Sequence, residues 1–185
     1  MRIIFALLLL LPTAAFAQNY TTTLVADFTG DGLIDRAELN ENLEGGEADL
    51  NIWIRKSDGT LDLRTNALSV VWVGGIGQQP ELAVTSRGSL QVISMNESIG
   101  RDRWHQTLTV AWRGNKFVLA GFTYEWYDTL NVADNGKCDV NLLSGKGTLS
   151  IGEEFEKKYA FKTKSRSIPI DTWDREPPVE CFPVE

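Results

Sequence analysis

Residues 104–127 read WHQTLTVAWR-GN-KFVLAGFTYEWY, and this stretch decides the fold class. Two segments rich in β-branched and aromatic residues flank Gly114-Asn115, a dipeptide typical of two-residue hairpin turns. A turn of that length pairs Arg113 with Lys116 and thereby sets the register of every later pair. The sequence therefore predicts a central antiparallel hairpin with strands at 104–113 and 116–127.

This register assigns the side chains of the hairpin to two faces. The face that we predict to be core carries the pairs Trp112–Phe117, Val110–Leu119 and Leu108–Gly121. The opposite face carries the pairs Ala111–Val118, Thr109–Ala120, Thr107–Phe122, His105–Tyr124 and Arg103–Trp126. Because the second strand is apolar on both faces, we expect it to be central and covered on both sides.

The rest of the chain has the same β character. Residues 50–54 alternate Leu or Ile with Asn and Trp, which is the period of a strand with one buried face. Short apolar or β-branched runs at 81–85 and 89–95 are bounded by turn residues, and no segment repeats at a fixed period. We therefore predict one all-β, mostly antiparallel domain over 18–185. It is either a compact sandwich or a small propeller-like arrangement of hairpins.

Residues 1–17 have the order of a cleaved signal peptide. Arg2 supplies a positive charge, an apolar run follows at 3–11, and Ala15 and Ala17 place small residues before the cleavage point. The run is much shorter than the roughly 18 residues of a membrane-spanning helix, so no membrane span is predicted. The expected location is periplasmic or secreted.

Charge and cysteine content narrow the function classes. The formal net charge is −7, and the chain has no run of Lys or Arg, which argues against nucleic acid or an anionic membrane as a partner.

The two cysteines, Cys138 and Cys181, lack metal-site spacing, so in an exported chain they predict a disulfide bond rather than free thiols. This bridge would hold the proline-rich residues 165–185.

Residues 27–38, DFTGDGLIDRAE, have the spacing of a calcium-binding loop. Oxygen-bearing side chains recur at alternate positions, with Gly32 at the bend, and the twelve-residue EF-hand spacing is met. Residues 20–25 are β-branched and form helices poorly, so we expect a loop between strands. The candidate ligands are Asp27, Thr29, Asp31, Leu33 through its carbonyl, Asp35 and Glu38. The alternative is an Asp/Gly-rich turn whose carboxylates only cap backbone amides.

Residues 24–61, which run from Leu-Val-Ala-Asp through the calcium loop to Ser-Asp-Gly-Thr-Leu, resemble one FG-GAP (or VCBS) repeat. Such repeats place a calcium loop between strands and typically close with a DGT turn. The resemblance implies calcium as a cofactor, with ligands at Asp27, Thr29, Asp31, Leu33 and Asp35. Thr29 stands where the family usually has Asn or Asp, and the unit occurs once in this chain.

No constellation of catalytic residues stands out. His105 is the only histidine, and no GxSxG motif or phosphate-binding glycine loop occurs, so we predict no catalytic residue. A carboxylate pair of the kind that glycan hydrolases use is an alternative that the sequence does not exclude.

The polar segment 96–103 joins two patterned strands. Arg101 and Arg103, together with Trp126, are the candidate binding residues, and a simple solvated connection is the alternative.

As a whole, the chain is similar to small single-domain periplasmic proteins of Gram-negative bacteria that carry one such loop. Some proteins of that description inhibit lysozyme-like peptidoglycan hydrolases. The resemblance implies an exported, calcium-stabilised, disulfide-linked binding module, with another protein or a cell-wall glycan as partner and inhibition of a cell-wall hydrolase as its role. Two alternatives remain open: a periplasmic glycan-acting enzyme that uses a carboxylate pair, and a structural surface protein.

Overall fold

The computed structural model describes residues 20–42 and 45–182. The predicted signal peptide, residues 1–17, lies outside the described residues. Within them, eleven strands form two antiparallel sheets that do not close into a barrel. The predicted all-β fold class is confirmed, and the arrangement is that of a β-sandwich. In this part of the chain, no helix is long and apolar enough to cross a membrane.

The smaller sheet contains the predicted calcium loop. It has the order β1-β2-β3-β4, with strands Thr21–Ala26, Asp35–Glu41, Glu47–Arg55 and Leu61–Trp72. The alternation predicted for residues 50–54 is present, because Leu50 and Ile52 are fully buried while Asn51 and Trp53 are only partly buried. This alternation turns one face of the sheet towards the core.

The larger sheet is an up-and-down meander of seven strands in the order β11-β10-β9-β8-β7-β6-β5. Its strands are Glu81–Val84 (β5), Leu90–Asn96 (β6), Asp102–Arg113 (β7), Lys116–Asp128 (β8), Asn131–Asn141 (β9), Lys146–Ile151 (β10) and Lys157–Lys162 (β11). The smaller sheet covers part of its inner face, where β4 lies against β6 and β8, and where β1 and β2 lie against β5.

The common core is formed by side chains of both sheets. Each large aliphatic or aromatic side chain removed from water contributes about 1.5–3 kcal/mol. The fully buried members include Leu39, Leu50 and Ile52 from the smaller sheet and Leu90, Val92, Leu108, Phe117 and Phe122 from the larger one.

The predicted hairpin is β7–β8, and its turn is confirmed. Arg113 pairs with Lys116, and Gly114 and Asn115 have φ values of +55° and +61°, as a type I′ turn requires. The predicted pairs are correct up to the pair Val110–Leu119. The turn therefore sets the register of the nearer part of the hairpin.

Beyond that point the predicted pairs are wrong, because β8 contains a bulge. Thr109 pairs with Gly121, so Ala120 is an extra residue on β8. The actual pairs are Leu108–Phe122, Thr107–Thr123, Gln106–Tyr124, His105–Glu125, Trp104–Trp126 and Arg103–Tyr127. One extra residue moves every later side chain of β8 to the other face, so the aromatic side chains join the inner face.

The C-terminal strap, defined here as residues 163–182, lies over the rest of the larger sheet. It contacts β8, where the amide of Leu119 donates to the carbonyl of Ile168 at 2.8 Å, and Ile170 is buried. Near its end, Cys181 is bonded to Cys138 of β9 with an S–S distance of 2.04 Å. The predicted disulfide bond is confirmed, and both cysteines are fully buried.

Candidate functional site

Asp27 follows β1 and organises the predicted calcium loop around its own carboxylate. Its Oδ1 accepts hydrogen bonds from the amides of Gly30 (2.7 Å) and Asp31 (3.2 Å), and its Oδ2 accepts one from the amide of Gly32 (2.9 Å). These donors, the Gly32 amide above all, hold the pKa of Asp27 below its ordinary value because they favour the ionised form. Gly30 and Gly32 have φ values of +80° and +86°, which favour glycine.

Asp35, at the start of β2, is fully buried and ties this loop to the smaller sheet. Its Oδ2 accepts hydrogen bonds from the amides of Phe28 (2.9 Å) and Thr29 (3.1 Å). Its Oδ1 accepts one from the amide of Arg55 on β3 (2.9 Å). The carboxylate therefore satisfies three backbone donors in a site closed to water.

The remaining predicted ligands lie apart from Asp35. Asp31 is exposed, and its Oδ1 accepts a hydrogen bond from the amide of Leu33 at 2.8 Å. Glu38 lies three residues after Asp35 on β2, hence on the opposite face of the strand, and forms an ion pair with Arg36. The structure thus brings Asp27, Asp31 and Leu33 together at the loop surface and places Glu38 elsewhere.

Calcium requires six to eight oxygen ligands around one point. Within residues 20–42 and 45–182, no group of three or more His, Cys, Asp or Glu side chains is placed to hold a metal ion. The fit to calcium is partial. Asp27, Thr29 and Asp31 lie at the loop surface, although both oxygens of Asp27 accept backbone amides, and the oxygens of Asp35 accept such donors in a fully buried site.

The polar segment 96–103 is held at both ends by side chains. Asn96 is largely buried, and its side-chain nitrogen donates to the carbonyls of Ile99 (2.8 Å) and Asp102 (3.0 Å). The side-chain oxygen of Gln78, also buried, accepts two backbone amides of the segment at 2.7 and 3.0 Å. These bonds give the segment a fixed shape while its middle residues stay exposed.

The two candidate arginines of this segment have different surroundings. Arg101 forms an ion pair with Asp128, a carboxylate that is only 7% exposed. This pairing holds the pKa of Asp128 below its ordinary value. Arg103 belongs to β7, lies opposite Tyr127, and lines a groove together with Trp126. Of the predicted binding residues, Arg103 and Trp126 both adjoin this groove, but strand alternation directs the Arg103 side chain to the outer face and that of Trp126 to the inner face, and Arg101 binds within the protein.

Three partly buried aromatic side chains of β7 and β8, here called the aromatic row, lie side by side on the inner face: Trp104, Tyr124 and Trp126. The ring centroids of Trp104 and Tyr124 are 6.0 Å apart with an angle of 22° between the planes. Those of Tyr124 and Trp126 are also 6.0 Å apart, at 29°. These near-parallel rings, one on β7 and two on β8, form a contiguous apolar platform.

This platform is the floor of a groove with a volume of about 450 Å³. Phe182 of the C-terminal strap forms part of the wall, and its ring packs edge-on against Tyr124 with centroids 5.2 Å apart. Since Cys181 is bonded to Cys138, the disulfide bond holds this wall against the sheet. The volume is within the usual range for a small-ligand site.

Gly136 of β9 makes room for the floor of the groove. It pairs with Trp126, and a Cβ atom at this position would lie 2.2 Å from the Trp126 ring. Any other residue at 136 would therefore displace the ring.

Polar residues also line the groove: Asp102, Arg103, Tyr127, Asp128 and Asp134. Among the residues that the structure describes, Nη1 of Arg103 is buried without a hydrogen-bond partner. The hydroxyl of Tyr127 donates to Glu97 at 2.8 Å, which raises the pKa of Tyr127. The rim thus offers carboxylates, whereas the alternation of β7 and β8 directs the side chains of Arg103 and Tyr127 to the outer face.

Sequence reasoning named Arg103 and Trp126 but missed Trp104, Tyr124 and Phe182 as parts of the site. Tyr124 was missed because the bulge changes the register of β8 and turns this side chain to the inner face, beside Trp104. A signal was present in the sequence, since an isolated glycine such as Gly121 within a strand often marks a bulge.

We compared the chain with protein-family models, with curated proteins and with solved structures, and none of these comparisons found a match. The function therefore has to be argued from the geometry of the site.

Proposed function

We propose that this chain is an exported binding module that holds a glycan in the groove of its seven-stranded sheet. The aromatic row carries the proposal. Trp and Tyr side chains combine a large apolar face with a polar tip, which suits ligands that are apolar on one side and hydrated on the other. The faces of sugar rings have this character.

The rim of the groove supports the same ligand class. Asp102 and Asp134 are exposed carboxylates that can accept hydrogen bonds from sugar hydroxyls. Specific sites for small ligands typically combine an apolar lining with a few polar groups that fix orientation. The groove has both, with its polar groups at the edge of the platform.

Export is supported by the disulfide bond between Cys138 and Cys181, because such bonds persist in oxidising compartments. The signal-peptide pattern of residues 1–17 gives the same expectation. A periplasmic or secreted location would bring the groove into contact with cell-wall or extracellular glycans.

Two other hypotheses from the sequence have less support. A glycan-cleaving enzyme needs a carboxylic acid that stays protonated, but the most buried groove carboxylate, Asp128, is ion-paired and has a lowered pKa. Plugging of a hydrolase cleft by segment 96–103 would use Arg101 or Arg103, but Arg101 is bonded to Asp128 and Arg103 belongs to β7. Binding in the groove requires neither group to change partner.

The proposal is tested by measuring oligosaccharide binding to the full mature chain. We expect a screen of cell-wall and extracellular oligosaccharides to give binding without turnover. Calorimetry should show that Trp126→Ala weakens this binding by about 30-fold, the loss expected for a central aromatic anchor. Trp53→Ala is the matched control, because Trp53 lies on the outer face of the smaller sheet. Equal affinity of Trp126→Ala and wild type, with both variants folded, would contradict the proposal.

We also propose, independently of the groove, that the loop at residues 27–38 binds calcium. Asp27, Thr29, Asp31 and the carbonyl of Leu33 would hold the ion at the loop surface, as the FG-GAP resemblance implies. Calcium would stabilise the folded state by mass action. In Asp31→Asn the acceptor for the Leu33 amide is kept and the charge is lost. We therefore expect millimolar calcium to raise the unfolding temperature of the wild type but not of this variant. An unchanged wild-type midpoint after chelation and after calcium addition would reject calcium binding.

A further inference from the structure

We propose that the groove continues past Trp104 into a second hollow, so that its preferred ligand is an unbranched oligosaccharide chain longer than a disaccharide. The second hollow lies between β4, the strands β6 and β7, and the C-terminal strap, and its volume is about 300 Å³. The inference rests on the proposed function, because it names the class of glycan for the same groove. It depends on Trp72 and Gln106, whereas glycan binding itself depends on the aromatic row.

Trp104 joins the two spaces, because it lines both the groove and the second hollow. Its ring lies near-parallel to that of Tyr124, which belongs to the groove. The ring of Trp72, the last residue of β4, belongs to the second hollow, and its centroid lies 5.7 Å from that of Trp104 at an angle of 58°. Trp72 therefore continues the series of aromatic rings at a similar spacing, but as a wall rather than as a further part of the floor.

The strands place a polar side chain beside these rings. Gln106 follows Trp104 by two residues on β7, so both side chains lie on the inner face, and the cross-strand partner of Gln106 is Tyr124. Gln106 is partly exposed and lines the second hollow. Its side-chain amide can donate and accept hydrogen bonds, which suits the hydroxyl and acetamido groups of sugars. The second hollow therefore has the same combination of aromatic and polar groups as the groove.

Contacts within the protein hold the walls of the second hollow. Gly74 leaves room for Trp72, since a Cβ atom at position 74 would lie 2.8 Å from the Trp72 ring. Trp173 and Arg175 of the C-terminal strap form another part of the wall, and Arg175 makes an ion pair with Glu47 of β3. A site whose walls are already held in place loses less conformational entropy when a ligand binds.

A ligand confined to the groove would leave apolar surface of the second hollow in contact with water. Trp72, Trp104 and Trp173 are only partly buried, and covering their exposed apolar surface is favourable. A sugar unit that is linked to another unit in the groove reaches the second hollow at a high effective concentration, because the second contact is then intramolecular. The arrangement therefore favours a chain over separate small sugars.

Two series of unbranched oligosaccharides test the inference by calorimetry on the full mature chain. One consists of β-1,4-linked N-acetylglucosamine oligomers and the other of β-1,4-linked glucose oligomers, each from the disaccharide to the hexasaccharide. We expect wild type to bind the tetrasaccharide of at least one series about tenfold more tightly than the disaccharide of that series. Which series shows the increase identifies the kind of sugar unit that fits.

Variants of the second hollow assign the length dependence to this region. Trp72→Ala should weaken tetrasaccharide binding about tenfold and leave disaccharide binding unchanged. Gln106→Leu keeps the approximate size of the side chain and should weaken only tetrasaccharide binding, by about fivefold, because a hydrogen bond is lost. Trp53→Ala is the matched control and should change neither affinity. Unfolding midpoints establish that each variant is folded, and the wild-type length series stands even where a variant is not.

The outcomes separate the two proposals. Equal affinity of wild type for disaccharide and tetrasaccharide, with loss of both in Trp126→Ala, overturns the second hollow as a binding site and leaves glycan binding intact. A length dependence that persists in folded Trp72→Ala and Gln106→Leu also overturns it, as does a loss of disaccharide binding in Trp72→Ala equal to the loss of tetrasaccharide binding. Failure of both series to bind wild type overturns the inference, and together with a negative oligosaccharide screen it overturns glycan binding as well.

Discussion

The calcium-like loop and the aromatic groove are built from contacts of very different range. Most hydrogen bonds of the loop join residues two to seven positions apart, such as those from Gly30 and Gly32 to Asp27. The groove joins Trp104 to Trp126 across a hairpin and Cys138 to Cys181 across 43 positions. The loop can therefore be recognised from its sequence as a short motif. The groove forms only when the strands have paired and the C-terminal strap has packed against the sheet.

The largest expected effect comes from removing the disulfide bond. Cys138→Ala with Cys181→Ala should lower the free energy of unfolding by about 4 kcal/mol, since the cross-link no longer restricts the unfolded chain. Urea unfolding without reductant measures this loss. If the two regions are independent, the amide NMR shifts of Gly30 and Gly32 stay unchanged while oligosaccharide binding falls. Altered loop shifts would show that the regions are coupled.

Asp35→Ala tests the loop side of the comparison. Three backbone amides lose their acceptor in a fully buried site, so we expect unfolding to become easier by about 3 kcal/mol. Asp31→Ala is the control: one hydrogen bond at an exposed site should cost less than about 1 kcal/mol. Similar losses for the two variants in chemical denaturation would mean that the burial of Asp35 does not matter.

Gly136→Ala tests the groove side through shape alone. The new methyl group would overlap the Trp126 ring, and we expect a loss of stability of about 2 kcal/mol together with weaker oligosaccharide binding. Gly147→Ala produces a similar overlap with Phe161, at 2.3 Å, on a strand pair outside the aromatic row. It should lower stability but leave binding unchanged. Equal binding losses in both variants would show that binding follows general stability rather than the position of Trp126.

The smallest expected effect is on the pH dependence of the free energy of unfolding. The pKa of Asp27 is lower in the folded protein than in the unfolded chain, so its contribution is present above about pH 4 and is lost as the pH falls through the folded value. In Asp27→Asn, the fall in unfolding free energy as the pH drops below about 4 should be shallower than in wild type. Asp128→Asn should act in the same direction for the groove, because Arg101 lowers that pKa as well. If the free energy of unfolding falls with pH equally steeply in wild type and in both variants, the lowered pKa values of Asp27 and Asp128 are contradicted.

Sequence patterns predicted the parts of the fold that can be inferred without knowing how strands pair or pack. The all-β class, the hairpin turn at Gly114-Asn115 and the cysteine pair all follow from local composition or from counting. The faces of β8 could not be assigned in the same way. A bulge adds one residue where packing and a glycine allow it, and its position depends on tertiary contacts that no short window contains.

The residues of the candidate sites also fall into two groups: those that spacing in the sequence identifies and those that depend on strand pairing. Asp27, Asp31 and Leu33 were named from spacing, and the structure brings them together at the loop surface. Glu38 was named from the same spacing, but strand geometry directs it to the face opposite Asp35. Trp104, Tyr124 and Phe182 became part of a site only through register and through the disulfide bond.

The extra residue on β8, Ala120, also has an evolutionary consequence. Substitutions can change the groove gradually, one side chain at a time, whereas loss of the Ala120 codon would only remove the bulge, because Gly121 would still pair with Thr109 and Phe122 with Leu108. A residue added to this segment and paired in the ladder would instead send Phe122, Tyr124 and Trp126 to the outer face together. Among descendants of this gene, the segment between residues 116 and 122 should therefore lose one residue more readily than it gains one.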